Sequence, residues 1–219
     1  EDAAQAFMSR SANVALGTFG DFGCFSLSMA KLVSSGQGGF IVTNSNILAA
    51  LARKIRTHGL DSIHNPNAWN ILGGNFRYTD LQAAMCLSQL ELIDYKIKSC
   101  IQTYTTYLRE FEELQGIFSA IEVNIDEGEI PIYNEFMCKE REKLSSYLQE
   151  HGIEARPFYP AISSCDYLPN TSLRMTPFEN GNKFSKYGLY LPSGPDLSSR
   201  NLKSVINLVK KFYNKRSLS

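Results

Sequence analysis

A lysine set between two short apolar strands and followed by a cluster of glycines constrains this chain more than any other feature. Residues 22–28, Phe-Gly-Cys-Phe-Ser-Leu-Ser, predict a short buried strand, and residues 39–43, Gly-Phe-Ile-Val-Thr, predict a second one rich in aromatic and β-branched side chains. Between them lie Lys31 and the run Gly36-Gln37-Gly38-Gly39, a tight connection whose glycines bring the backbone close to something else. Desolvation favours the neutral amine of a lysine at such a strand end, and a neutral amine can form imines. Taken alone this is weak evidence, because a lone lysine after a strand is far more often a solvated surface side chain.

The rest of the chain alternates helices with short strands. Asn44-Ser45-Asn46 supplies N-cap chemistry for a helix over 46–57 that stops at His58-Gly59. Residues 60–78, with Pro66, Trp69, Gly73 and Gly74, read as a functional loop. Thr79 or Asp80 caps a long helix whose apolar stripe runs Leu81, Ala84, Met85, Leu90, Ile93, Ile97, Ile101, Tyr104, Leu108 and Phe111, with a bend or break near its middle. Beyond Gly116 come strands at 118–123 and 130–136 and a helix over 139–151. An extended segment holding Pro157 and Pro160 follows, and a polar irregular stretch runs to about 185. The chain closes with a strand at 189–192 and a helix capped by Ser198 or Ser199 that buries Leu202, Val205, Ile206, Val209 and Phe212.

Composition excludes several classes of function. Lys plus Arg balances Asp plus Glu at 22 each, so the chain lacks the basic excess of a nucleic-acid or membrane-surface protein. No apolar run reaches the ~20 residues needed to span a bilayer. The cysteines at 24, 86, 100, 138 and 165 are odd in number and contain no C-x-x-C pair, which argues against zinc or a disulfide framework and for a reducing cytoplasm, with no metal expected. The chain opens on Glu1-Asp2-Ala3-Ala4-Gln5-Ala6, a patterned motif at the first residues, and is expected to be a piece of a longer protein.

That opening run, then Gly20-Asp21-Phe22-Gly23-Cys24-Phe25-Ser26, Lys31, and Gly36-Gln37-Gly38-Gly39-Phe40-Ile41-Val42-Thr43-Asn44, closely resembles the DegT/DnrJ/StrS family of sugar aminotransferases. The resemblance continues through Arg56-Thr57-His58-Gly59, Gly74-Asn75-Phe76-Arg77 and Asp80-Leu81-Gln82-Ala83-Ala84. It returns more weakly at Gly152-Ile153-Glu154-Ala155-Arg156-Pro157 and Leu191-Pro192. It implies an α/β fold of the pyridoxal-phosphate transferase fold type I. Residues 1–95 would form part of a cofactor-binding large domain with a mostly parallel sheet, whose N-terminal half lies outside this chain, and residues 96–219 a smaller C-terminal α+β domain.

The resemblance also implies roles. Lys31 would form the internal Schiff base with pyridoxal 5'-phosphate and shuttle the proton between carbon atoms. Asp2 would pair with the pyridinium nitrogen, Gln5 would lie near the ring hydroxyl, and Ser26 would contact the phosphate. Asn75 would reach the phosphate of the neighbouring subunit, making the site a property of a homodimer. Arg77 would hold an anion, either the donor's carboxylate or a phosphate, and Tyr159 would face the substrate. The implied reaction moves an amino group from an amino acid, glutamate, to a nucleotide-linked keto-sugar of polysaccharide biosynthesis. Where the family has histidine after Gln-Ala, this chain has Phe7, which puts one polar contact in doubt.

Blander readings stand beside these. Asp2 alone reads as a helix cap, Ser26 as a strand hydroxyl bonded to backbone, Arg77 as a structural loop arginine, and Tyr159 as a half-buried core aromatic. His58 and His151 each precede a glycine at a helix end, where an imidazolium suits the helix dipole. The family's sugar dehydratases, which replace the lysine with histidine, and a non-catalytic paralogue that only binds a partner are the alternative functions.

Overall fold

The computed structural model describes residues 1–64, 69–166 and 178–214. The chain divides into two compact units, residues 1–97 with 124–130, and residues 98–123 with 131–219.

The first unit begins with a small hairpin, β1 (Arg10–Ser11) and β2 (Val14–Ala15), whose turn residues Ala12 and Asn13 have φ of 48° and 66°. Two successive left-handed residues give the turn a twist that matches that of its strands. The strands β3 (Gly23–Ser26) and β4 (Gly39–Val42) pair antiparallel, with Ser26 opposite Gly39 and Phe25 opposite Phe40. A parallel bridge joins Asp2 to Cys24, held by Ala3 N–H to Cys24 O and Cys24 N–H to Glu1 O, both at 2.9 Å. Phe7, where the resemblance implied a histidine, packs edge-on to Phe25 and Phe40 at ring distances of 5.9 and 5.5 Å, and those two rings stack at 4.7 Å. The position therefore serves an aromatic cluster rather than a polar contact.

Helix α1 (Asn46–Arg56) is capped by the Ser45 hydroxyl, which accepts from Leu48 N–H at 3.3 Å, and the chain leaves it through His58 and Gly59, both at positive φ. Helix α2 (Asp80–Leu90) starts with a reciprocal capping box between Thr79 and Gln82. A turn at 91–92 separates it from α3 (Ile93–Glu110), so the long apolar stripe is broken near its middle. The division between the units falls inside α3, after Ile97.

The burial on α3 differs from the sequence stripe. The buried face is Lys96, Cys100, Thr103, Tyr104, Tyr107 and Phe111, while Leu81, Met85 and Leu108 are exposed. Polar members of that face tolerate burial because their heads are bonded: Tyr107 donates to Pro192 O at 3.0 Å and Tyr104 to Ile121 O at 2.9 Å.

The second unit is an antiparallel sheet in the order β5 (Phe118–Ala120), β6 (Asn134–Cys138), β8 (Gly188–Leu191), β7 (Arg156–Pro157). The strand expected at 130–136 begins only at Asn134. Pro131 cannot donate to a ladder, and Ile130 N–H is instead bonded to Ser9 Oγ at 3.0 Å, so residues 124–130 belong to the first unit.

Helices α4 (Arg141–Glu150) and α6 (Ser199–Asn214) supply the core: Leu144, Leu148 and Val209 are fully buried beside Phe118, Phe136, Leu189 and Leu191. Truncating one such leucine to alanine costs about 2–5 kcal/mol. The expected face of the last helix, Leu202, Val205, Ile206, Val209 and Phe212, is the buried one, with Ser198 as its cap at 3.2 Å from Asn201 N–H. The stretch read as irregular to about 185 lies partly outside the described residues, and its last part is helix α5 (Glu179–Tyr187), formed despite Asn180, Gly181 and Asn182. No described helix is long and apolar enough to cross a membrane.

Candidate functional site

Lys31 lies in the loop that joins β3 to β4. Its side chain is half-buried, and its N–H donates to Ser28 O at 3.1 Å, closing a tight turn. Two further bonds close the loop itself: Leu27 N–H to Gly38 O at 2.9 Å and Ser35 N–H to Leu27 O at 3.0 Å. Leu32 and Val33 are buried immediately after the lysine, which fixes the loop from below. Gly39 has to be glycine: a Cβ there would sit 2.3 Å from Phe25 O.

Ser26 ends β3, five residues before Lys31. Its hydroxyl donates to Ser28 Oγ at 3.2 Å and accepts from Ser28 N–H at 3.3 Å, so the two serines form a small hydroxyl cluster at the start of the loop. The hydroxyl–backbone reading of Ser26 is thus met. Asp2 makes an isolated bridge to Cys24, two residues before Ser26. It is exposed, one carboxylate oxygen accepts from Ala4 N–H at 3.0 Å, and no helix follows it, so it shapes a turn and caps nothing helical. Gln5 is exposed just beyond that turn. The residue before Asp2 holds the neighbouring loop: Glu1 accepts from Gly17 N–H at 2.6 Å and from Phe19 N–H at 3.1 Å. The Gly17 bond is the chief reason its carboxyl lies below the usual range.

Asn75 and Arg77 sit on a segment laced to the end of α1 by His58 N–H to Gly74 O, Gly74 N–H to Ile55 O and Phe76 N–H to Arg56 O, at 2.9 to 3.0 Å. Both are exposed, and Arg77 Nε donates to Asn75 Oδ1 at 2.9 Å. The residues that follow touch the glycine loop: the Tyr78 ring packs against Gly38, and Gln82 Nε2 donates to Gln37 O at 2.9 Å. The first unit thus carries Lys31 in a loop that opens with the Ser26 and Ser28 hydroxyls, Asp2 bridged to the strand that leads into that loop, and Arg77 directly before the tyrosine that packs against its glycines.

Tyr159 belongs to the second unit. It is exposed, which removes the half-buried core reading, and its hydroxyl accepts from Arg156 at 2.9 Å. The Arg156 guanidinium also lies over the Tyr159 and Tyr190 rings at 5.1 and 4.5 Å. Sequence reasoning missed the row this arginine belongs to. Glu135 on β6 and Arg156 on β7 both face Tyr190 on β8 across the sheet. Burial raises the Glu135 carboxyl, partly offset by its hydrogen bond with Tyr190, and burial pushes the Tyr190 phenol up to about 12. The available signal was the period of two in Tyr133, Glu135 and Met137 against buried Asn134, Phe136 and Cys138.

Comparison with known proteins now bears on this arrangement. A sequence model of the DegT/DnrJ/EryC1/StrS aminotransferase family matches residues 1–210. The chain is 30% identical over 224 residues to a GDP-perosamine synthase of Vibrio cholerae, covering 98% of this chain and 59% of that protein. Among solved structures, DesV of S. venezuelae in complex with a ketimine intermediate superposes with a TM-score of 0.83 at 25% identity, covering 96% of this chain and 56% of that one. Helicobacter pylori PseC, an aminotransferase involved in the biosynthesis of pseudoaminic acid, superposes at 0.87 with 22% identity, over 98% of this chain and 59% of that one, and bears on the fold. The chain therefore spans just under three fifths of the length of these relatives. Its fold is that of the fold-type I sugar aminotransferases, and the chain belongs to the DegT/DnrJ/EryC1/StrS aminotransferase family.

Proposed function

We propose that the protein carrying this chain is a pyridoxal-phosphate-dependent aminotransferase that moves an amino group from glutamate to a nucleotide-linked keto-sugar. The observation that carries the reading is Lys31 in a closed loop directly after the Ser26–Ser28 hydroxyl pair, with Asp2 bridged to Cys24 of the same β3. The donor set fits pyridoxal 5'-phosphate: an amine for its aldehyde, hydroxyls for its phosphate and a carboxylate for its ring nitrogen. When bound, the cofactor supplies that aldehyde and a ring that accepts electrons from a breaking C–H bond.

Each of the chain's own groups then has a task. Lys31 holds the cofactor and afterwards, as a free amine, carries the proton between carbon atoms. Asp2 keeps the ring nitrogen protonated, Gln5 lies by the ring hydroxyl, and Ser26 donates to the phosphate. Arg77 binds the carboxylate of the amino-acid donor through its guanidinium fork. Asn75 serves the phosphate site of a second copy, so the working unit is a homodimer. Tyr159 meets the sugar substrate. Glutamate gives up its amino group and two electrons and, taking oxygen from one water, leaves as its 2-oxo acid, while the sugar's carbonyl carbon gains the nitrogen, a hydrogen and those two electrons and its oxygen departs as one water.

Residues 1–95 act within the cofactor-binding domain, to which 96–97 and 124–130 also pack, and the remainder of 96–219 acts as the smaller domain. The five free cysteines fit a reducing cytoplasm. The names of relatives support the substrate class: GDP-perosamine synthases of Vibrio cholerae and Escherichia coli O157:H7, and a dTDP-4-amino-4,6-dideoxy-D-glucose transaminase of Shigella dysenteriae.

The test is amino transfer from 15N-glutamate to a panel of GDP-, UDP- and dTDP-linked 4-keto-6-deoxy sugars by the full-length protein, read by mass spectrometry. Labelled amino sugar from the wild type and none from Lys31→Ala supports the reading. No labelled product from any sugar, with cofactor bound, overturns it.

A further inference from the structure

Lys96 is nearly buried, at 8% exposure, in the first turn of α3. Its position runs against local preference. A cation near a helix N-terminus opposes the helix dipole, and neighbours Leu92, Ile93 and Ile97 mark the local pattern as apolar. An ammonium taken out of water is costly unless its protons find fixed acceptors. Lys96 Nζ has two neutral ones: the carbonyl oxygen of Leu32 at 3.1 Å, and Gln89 Oε1 at the end of α2.

The Leu32 bond links residues 64 positions apart and lands on the residue next to Lys31. On the other side, Lys31 N–H is held by Ser28 O. The backbone around the lysine is thus pinned on both sides of its Cα, and the far end of the loop is pinned again by Gln82 at Gln37 O. An apolar residue at position 96 could fill the space but could not hold a carbonyl, so the lysine's presence there is accounted for by that bond.

We propose that Lys96, set by Gln89, is a positioning residue for Lys31: its buried ammonium fixes the backbone from which the Lys31 amine approaches the cofactor. The proposal rests on the reading of Lys31 as the cofactor-holding lysine. It is tested in the full-length protein with Lys96→Met, which keeps side-chain length and removes the donor, and with Gln89→Met, which keeps the ammonium and removes its second acceptor.

Two quantities are read. The first is hydrogen exchange at the amides of Leu27 and Ser35, which close the Lys31 loop. The second is the rate at which pyridoxal phosphate becomes trapped on Lys31 by borohydride, followed by peptide mass spectrometry. Lys96→Met is expected to exchange faster and attach cofactor more slowly, each by about tenfold, because loosening a supporting segment misplaces the reacting group. kcat falls with the attachment rate while KM for both substrates holds, and Gln89→Met shifts in the same direction by less. Folded variants with both quantities within about twofold of the wild type overturn the proposal. Should the wild type itself take no cofactor on Lys31, that failure belongs to the function reading. The exchange rates then decide alone, and unchanged exchange in both variants overturns the anchoring role.

Discussion

Gln82 Nε2 donates to the carbonyl oxygen of Gln37 at 2.9 Å, joining the first turn of α2 to the glycine loop that follows Lys31, 45 residues earlier. The same side chain closes the α2 capping box, with its Oε1 accepting from Thr79 N–H at 3.1 Å. One amide thus serves both helix initiation and loop closure. Gln82→Ala removes both and is expected to lower stability by about 1–2 kcal/mol, against about 1 kcal/mol for Thr79→Ala, which loses the cap alone. Urea denaturation of the two variants checks the difference.

Gly39 faces Ser26 across the β3–β4 pair, and a Cβ there would lie 2.3 Å from Phe25 O. Backbone has to move to admit even alanine. Gly39→Ala is expected to cost about 1–3 kcal/mol and to weaken cofactor retention, because the displaced strand carries Ser26 at its end. Thermal unfolding and cofactor content after dialysis measure the two effects. Unchanged values for both contradict the packing described.

In the second unit, the Glu135 carboxyl is raised above its ordinary value of 4.5, chiefly by burial, with the Tyr190 hydrogen bond opposing. The folded chain therefore holds this proton more tightly than the unfolded chain does. Its contribution to stability is complete below pH 4.5 and is lost as pH rises through the raised folded value. Glu135→Gln keeps the hydrogen-bonding shape without the charge. Its urea midpoint is expected to fall less than that of the wild type between pH 4.5 and neutrality. A wild-type midpoint whose pH dependence matches that of the variant would count against the half-buried setting of Glu135.

Much of this was readable from residue patterns because the signals were local. Ser45 and Thr79 cap the helices they precede, Gly39 and the β-branched run after it form β4, and the apolar face of the last helix is the buried one. What escaped depended on distant partners. Nothing near Lys96 in the chain points to its carbonyl partner on Leu32, 64 positions away. Ile130 reads as strand until Ser9 claims its N–H. The β1–β2 turn has Ala12 at positive φ, a residue that gives no warning of a left-handed turn, and Asn180, Gly181 and Asn182 argue locally against the helix they occupy. At the site, the ordered motifs picked out Asp2, Ser26 and Lys31 in one unit. For the Glu135–Tyr190–Arg156 row, the period of two marks the face that Glu135 takes on β6, but the register that sets it opposite Tyr190 and Arg156 depends on strands distant in the chain.

The central claim is that Lys31 is the amine that takes the cofactor. The most direct measurement is borohydride reduction of the full-length protein incubated with pyridoxal phosphate, followed by peptide mapping. The account predicts the phosphopyridoxyl mass on the peptide containing Lys31 at about one per chain, and its loss in Lys31→Ala. Label spread over surface lysines, or the same label in Lys31→Ala, would contradict it.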